Sequence, residues 1–349
     1  MQVAEEQPER GNVMKLSKKT LILILVLIVV VLAAAWFIFH PEKAATPASE
    51  KEQVTLRLGG LKGATSIGMV KLLDDAEKGQ TQVNYEYTMA AAADELSPLM
   101  IQGKMDVLAV PANLGSILYN KTEGKVQFVA VNTLGVVYIV EKGGETIQSV
   151  ADLKGKTIYA TGKGTTPEYA LRYLLSMHGL DMDTDVTMEW KSEPTETVMA
   201  MKAQENAVAM IPQPFVTVAQ GQIPDLHVAL DLTREWDALD NGSMFITAGL
   251  IVRKEFAEQH PDVLAAFLAE YKASTEYVNA NPAEAAVLVE KYGIVKAPVA
   301  EKAIPYCNIT YIDGARMKTG LTGYLNVLFD MNPASVGGKL PGDDFYYGN

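Results

Sequence analysis

One stretch of the chain returns at a fixed offset of 101 residues. Lys62-Gly63-Ala64-Thr65 recurs as Lys163-Gly164-Thr165-Thr166, and the same shift carries Glu95 onto Glu196, Met100 onto Met201, Val107 onto Val208 and Pro111 onto Pro212. Each copy has one order: an apolar strand, a K-G-x-T turn, two helices, then a short apolar strand ending in proline. Ordinary α/β periodicity sampled twice is the competing account, but it does not by itself keep separate motifs at one spacing. A repeat of this kind points to two similar α/β lobes that present matching loops to each other. A cleft between two lobes is a favoured place for a small molecule to bind.

A chain of 349 residues is long enough for one large or two medium domains. Hydrophobic content of 48% with 21% charged residues describes a folded protein. The net charge of −12 argues against nucleic acid or an anionic membrane surface as partner, although local loop geometry can still favour an anionic ligand. The lone Cys307 excludes an internal disulfide and a cysteine metal cage, and it leaves no amino-terminal cysteine for a lipid anchor. His40, His178, His227 and His260 are scattered without metal-ligand spacing, and neither a G-x-S-x-G elbow nor a phosphate-binding Walker loop is present. The expectation is a binding protein with no catalytic residue, no metal and no cofactor.

Leu21 to Phe39 is a run of 19 apolar residues without a charge or a proline. At ~1.5 Å per residue it would span roughly 28 Å, close to the hydrocarbon thickness of a bilayer. Lys15, Lys18 and Lys19 precede it, which places residues 1–20 in the cytoplasm by the positive-inside rule. The preferred reading is an uncleaved transmembrane anchor over 21–39. The other is a secretory signal starting at Met14 with Ala33-Ala34-Ala35 near a cleavage site. Both export the remainder. Residues 40–53, polar and holding two prolines, read as a linker.

Beyond the linker, apolar strands alternate with helices over short connections, so the expected sheet is largely parallel. Strands are expected at Val54–Leu58, 82–88, Val107–Val110, Val126–Val131 and Val136–Val140, with helices from about Ser66 to Asp75 and over Leu114–Tyr119, the latter capped by Asn113. In the second copy Thr165 and Glu168 have the spacing of a capping box, with Pro167 in the first helical turn. Helices starting at Pro261 and Pro282, a late strand at Asn308–Ile312 and a final helix over Gly314–Met331 complete the chain. This assigns 54–140 plus 244–349 to one lobe and 141–243 to the other, with hinge crossings near 136–142 and 243–250.

Each K-G-x-T turn follows a strand and opens a helix, which exposes backbone N–H groups to an anionic or polar group. Opposed helix ends would contribute ~0.3–1 kcal/mol each, and Lys62 or Lys163 roughly 1.5–3 kcal/mol apiece by charge-assisted bonds. Glu168 in the same first turn opposes an anion unless it faces away, which keeps a zwitterionic or cationic ligand open. The candidate ligand-binding set is Lys62, Gly63, Thr65, Ser66, Pro111, Asn113, Asn132, Thr133, Gly162, Lys163, Gly164, Thr165, Thr166, Gln213 and Phe215. Pro111, Asn113 and Gln213 belong to this set because strand carboxyl ends are the ligand edge of α/β sheets. Phe215, Tyr138 and Trp190 are candidates for an apolar wall.

The segments RLGGLKGATSIGMVKLL (57–73), DVLAVPANLGSILYN (106–120), VADLKGKTIYATGKGTTPEYALRYLL (150–175), IPQPFV (211–216) and VRKEFAEQHPDVLAAFLAEY (252–271) resemble solute-binding proteins of ABC importers. The nearest group is the nitrate/sulfonate/taurine and thiamine-precursor type, and the resemblance covers roughly 54–349. It implies the type II periplasmic-binding-protein fold: two lobes, a two-crossing hinge and a small polar solute in the cleft. It also implies a monomer outside the cell that delivers its solute to an ABC permease and ATPase. One departure is the uncleaved helix standing where Gram-positive members usually carry a lipidated cysteine. An exported enzyme on the same fold and a ligand-sensing domain are the alternative readings.

Overall fold

The structure is a computed structural model that describes residues 17–39 and 54–348, with side chains at 21, 33–35 and 37–39 outside the description. The expected linker at 40–53 and most of the cytoplasmic segment also lie outside it. Two compact units result, residues 1–53 and Val54–Asn349. The described part of the first is a 22-residue helix, Lys18–Phe39. Among the described residues no helix is long and apolar enough to cross a membrane. The uninterrupted run with described side chains in the amino-terminal helix is only 22–32.

The second unit holds eleven strands in two sheets. β1 (Thr55–Leu61), β2 (Asn84–Ala90), β3 (Val107–Pro111), β4 (Val126–Leu134), β10 (Ile246–Arg253) and β11 (Ile309–Ile312) form a sheet ordered β11-β4-β10-β3-β1-β2. β5 (Val137–Lys142), β6 (Thr157–Ala160), β7 (Thr187–Trp190), β8 (Ala207–Pro212) and β9 (Leu226–Asp231) form the other, ordered β7-β6-β8-β5-β9.

The repeat is present in the strand order. β2-β1-β3 in one sheet matches β7-β6-β8 in the other, both parallel. Next to each triplet lies an antiparallel strand that has just come from the other half: β10 beside β3, and β5 beside β8. Those crossings correct the expectation of largely parallel sheets, because a strand returning from the neighbouring half enters in the opposite direction. β4, β9 and β11 are antiparallel as well. The apolar run at 136–140 joins the second sheet, so the chain first changes sheets at Gly135-Val136. Periodicity identifies such a strand but not the sheet that it will join.

Local structure follows the sequence except at two capping positions and one helix. The expected helix over 66–75 is split into Ala64–Ile67 and Val70–Glu77, parted at Gly68-Met69. Asn113 does not cap the next helix; Pro111 occupies that place and Ala112–Lys121 starts two residues earlier than expected. Helices at Pro261–Ala280, Pro282–Lys291 and Gly314–Met331 begin at the proline or glycine signals read from sequence. The largest buried side chains include Trp236, Tyr271, Tyr324 and Phe128. Trp236 stacks on Phe245 at a ring separation of 5.3 Å and lies 5.5 Å from Tyr324. This aromatic cluster secures the second crossing, since Phe245 immediately precedes β10.

Candidate functional site

The carboxyl ends of β1 and β3 in one half and of β6 and β8 in the other open onto one cavity of about 810 Å³. That is the volume range of small-molecule sites. Its walls come in pairs at the repeat offset: Lys62 with Lys163, Gly63 with Gly164, Ala91 with Ser192, Pro111 with Pro212, and Leu114 with Phe215. The crossing strands complete it. Pro111 pairs with Ala248 of β10 and Pro212 with Val137 of β5, and both partners line the cavity.

Ten of the sequence candidates line this space: Lys62, Gly63, Thr65, Pro111, Gly162, Lys163, Gly164, Thr165, Gln213 and Phe215. Gly63 has φ 146°, a backbone region that a side chain disfavours, and a Cβ built there would lie 3.7 Å from the Phe215 ring of the other half. Gln213 is joined to Pro214 by a cis peptide bond, and its Oε1 accepts from the Thr217 hydroxyl at 2.9 Å.

The other five candidates are buried behind the walls and hold the loops in place. Asn132 Nδ2 donates to the Thr65 carbonyl at 3.0 Å and to the Tyr271 hydroxyl at 3.0 Å, while its Oδ1 accepts from Thr133 at 3.1 Å. Ser66 accepts from the Tyr87 hydroxyl at 3.0 Å, and burial pushes that phenol up to about 12. Asn113 Nδ2 donates to Ser335 O at 2.9 Å and to Gly164 O at 3.4 Å, and its Oδ1 accepts from Thr166 at 3.3 Å. Asn113 therefore connects the two halves directly.

The lining is cationic although the protein is acidic. Lys62, Lys121, Lys163 and Lys191 face the cavity against the single carboxylate of Asp94. Among the described residues, Lys62, Lys121 and Lys163 have no carboxylate within ion-pair distance, whereas Lys191 pairs with Glu189 at 3.1 Å and lies over the Tyr159 ring. Glu168 is turned away: its Oε2 accepts from the Gly164 N–H at 2.6 Å, and its other oxygen lies 3.5 Å from Arg172. It belongs with Arg172, Asp183 and Trp190 to a second recess that meets the cavity at Lys163, and Trp190 is not part of the cavity wall. The carboxylate reaches past Thr165 to Gly164, so the expected capping box with Thr165 does not form, and Thr165 donates instead to Gly162 O at 2.7 Å. Tyr138 is also off the wall. It is buried, its hydroxyl is 3.4 Å from Tyr306 O, and burial raises it to about 12.

The two helix ends are unequal. Thr166–Met177 is a full helix, but the Lys62 turn opens only Ala64–Ile67, too short to develop much dipole. What the halves share is loops, lysines and small residues. Leu61, Ile101, Leu114, Ile117, Val136, Val137 and Phe215 add an apolar surface. Among the described residues no group of three or more His, Cys, Asp or Glu is placed to hold a metal. Sequence reasoning missed Asp94, Lys121, Lys191, Ser192 and Thr247. The repeat offset reaches Ser192 from Ala91, at the end of the second strand of each copy; nothing comparable marks Thr247.

Several solved structures share this fold. An ABC transporter structure from Parabacteroides distasonis aligns with a TM-score of 0.69 at 23% identity, covering 84% of this chain and 98% of that one. The periplasmic aliphatic sulphonate binding protein SsuA from Escherichia coli aligns at 0.66 with 18% identity over 82% and 92% of the two chains. The alkanesulfonate-binding protein SsuA from Xanthomonas axonopodis pv. citri, bound to MOPS, aligns at 0.65 with 15% identity over 82% and 94%. At these identities the likeness is one of fold, the α/β architecture of periplasmic binding proteins. Comparison with curated protein sequences finds no match. Residues 83–285, more than half of the chain, match the family described as NMT1/THI5 like, and the chain belongs to that family.

Proposed function

We propose that this protein is the extracytoplasmic solute-binding subunit of an ABC importer, and that it captures a small organic anion in the cavity between its halves. The observation that carries this reading is the pairing of Lys62 with Lys163 on opposite walls of one cavity, at equivalent positions of the repeat. Two ammonium groups without a carboxylate partner on one cavity favour an anionic head, and the wall of Leu61, Leu114 and Phe215 suits an apolar body. The sulfonate binding named for two of the solved neighbours is in keeping with this chemistry. The ligand bridges the halves, and closure about the two crossings at Gly135-Val136 and before β10 is favoured by its contacts with both. The closed, monomeric protein then delivers the solute to a membrane permease.

The amino-terminal helix serves as the anchor in this reading. Ile22 to Leu32 are exposed on every side, between 47% and 69% each, and a helix that is apolar all round belongs in a protein core or a bilayer. Lysines before it orient residues 1–20 toward the cytoplasm. The full chain should sediment with membranes and resist extraction at alkaline pH; recovery in the soluble fraction would refute the anchor without touching the cavity. For the site itself, calorimetry of the full chain in detergent micelles with taurine, butanesulfonate, nitrate, bicarbonate and pyrimidines is the direct test. Saturable binding of an anion supports the reading, and binding of none of them overturns it.

A further inference from the structure

Thr247 differs from every other residue of the cavity lining. Among the described residues, it is the lining side chain whose buried oxygen has no hydrogen-bond partner. Its exposure is 9%, and its neighbours Ile246 and Ala248 are buried at 0% and 1%. Buried hydroxyls are normally satisfied, since each can both donate and accept. An apolar residue of the same shape would fill this place without leaving an oxygen unpaired.

The backbone supplies a second, independent observation. Against β4, Ile246 of β10 pairs with Leu134 and Ala248 pairs with Thr133, so two steps along β10 match one step along β4. Against β3, the pairing begins only at Ala248 with Pro111. One step on, Gly249 pairs with Val131 and the register is restored, so Thr247 lies at a local irregularity of the ladder and is paired in neither register. Irregularities of this kind re-aim side chains and gather beside functional sites. This one lies on the strand that carries the chain back from the other half, at the point where it borders the cavity.

We propose that the Thr247 hydroxyl is a solute contact, donating to an acceptor oxygen of the ligand at the cavity edge formed by β10. This rests on the solute-binding reading above and adds a residue to it: the lysines supply charge from the two walls, and Thr247 supplies a directional bond from the crossing strand. A ligand that reaches Thr247 and both walls touches the segment that bends on closure, so the same contact helps to select the closed form.

The test uses the full chain in detergent micelles with Thr247→Val and Thr247→Ser, and taurine, butanesulfonate and nitrate as probes in calorimetry. Thr247→Val should weaken the bound probe by at least about fivefold, and Thr247→Ser should stay within about twofold of the parent, as expected for loss and retention of one hydrogen bond. The ligand-free thermal midpoint of Thr247→Val should equal or exceed that of the parent, because the oxygen removed has no protein partner. A midpoint lower by more than about 5 °C would reveal a structural hydroxyl and overturn the proposal. Parent-like affinity in Thr247→Val would overturn the contact while leaving the cavity reading intact. Failure of the parent to bind any probe would overturn both.

Discussion

Glu95 and Glu196 hold the same amide in the two halves of the protein: Glu95 Oε1 accepts from the Ala91 N–H at 3.0 Å, and Glu196 Oε2 accepts from the Ser192 N–H at 2.9 Å. Each carboxylate reaches back four residues to the loop that leaves β2 or β7, and both Ala91 and Ser192 line the cavity. Glu95 also takes the Ala92 N–H at 2.9 Å. The repeated glutamate thus shapes the loops of the cavity without lining it. Glu95→Ala and Glu196→Ala should each lower unfolding free energy by about 1–2 kcal/mol, the cost of a lost helix cap. Urea denaturation would measure it, and the double variant should show the sum because the two sites share no partner.

Lys62 and Lys163 carry the proposed charge recognition. Replacing both with alanine should weaken binding of an anionic solute by about tenfold or more, one charge-assisted bond being worth roughly 1.5–3 kcal/mol. Affinity of the parent should also fall as salt rises, and the double variant should lose most of that dependence. Calorimetry at two ionic strengths separates the effects, and unchanged affinity in the double variant would remove the lysines from the site.

Gly135 occupies the shorter of the two crossings. A Cβ there would sit 2.0 Å from the Thr233 hydroxyl and 2.6 Å from the Phe245 ring, distances at which something must move. The Asn308 side chain also donates to the Gly135 carbonyl, so the backbone is held from both sides. Gly135→Ala should destabilise the protein by about 1–3 kcal/mol through overpacking. Pairing it with Thr233→Ala, which vacates the nearest clash, should recover part of that loss in a thermal melt.

Asp106 links stability to pH. Its carboxylate is buried and accepts from Arg57 Nε at 2.8 Å and from Arg253 Nη2 at 2.8 Å. Burial favours the protonated form, but the bonds from Arg57 and Arg253 outweigh it and hold the group below the usual carboxylate range. A depressed native value contributes stability that is complete above the unfolded value of about 4 and disappears as pH falls through the native one. Asp106→Asn should therefore cost about 1–3 kcal/mol at neutral pH, because it weakens the bonds to two half-buried arginines, of which Arg253 keeps Glu255, and its stability should change less than the parent's below about pH 4. Urea midpoints across that range would show it.

Much of this architecture was legible because its signals are local. The offset between Lys62 and Lys163 anticipated matching strand triplets, and the prolines at 261 and 282 marked helix starts because proline suits a first turn. What escaped the sequence depends on contacts distant along the chain. Asn113 looked like a cap, yet its partners are Gly164, Thr166 and Ser335, which only the folded halves bring near. Tyr138 and Trp190 looked like walls, yet the choice of sheet for β5 and the second recess around Glu168 took them elsewhere. Thr247 left no trace in the sequence, since a ladder irregularity is a property of the pairing between strands.

The bonds of Asn113 are graded in length, and the grading bears on how easily the halves part. The amide is anchored at 2.9 Å to Ser335 on its own side and reaches only to 3.3 and 3.4 Å across the divide. Separation would trade the two long contacts for water while the short one keeps the side chain aimed. A bond exchanged for water costs only about 1 kcal/mol net. Under the proposed closure, such a fastener would set the alignment of the halves each time they meet yet add little resistance to release, so that a weakly held solute would suffice to decide which arrangement prevails.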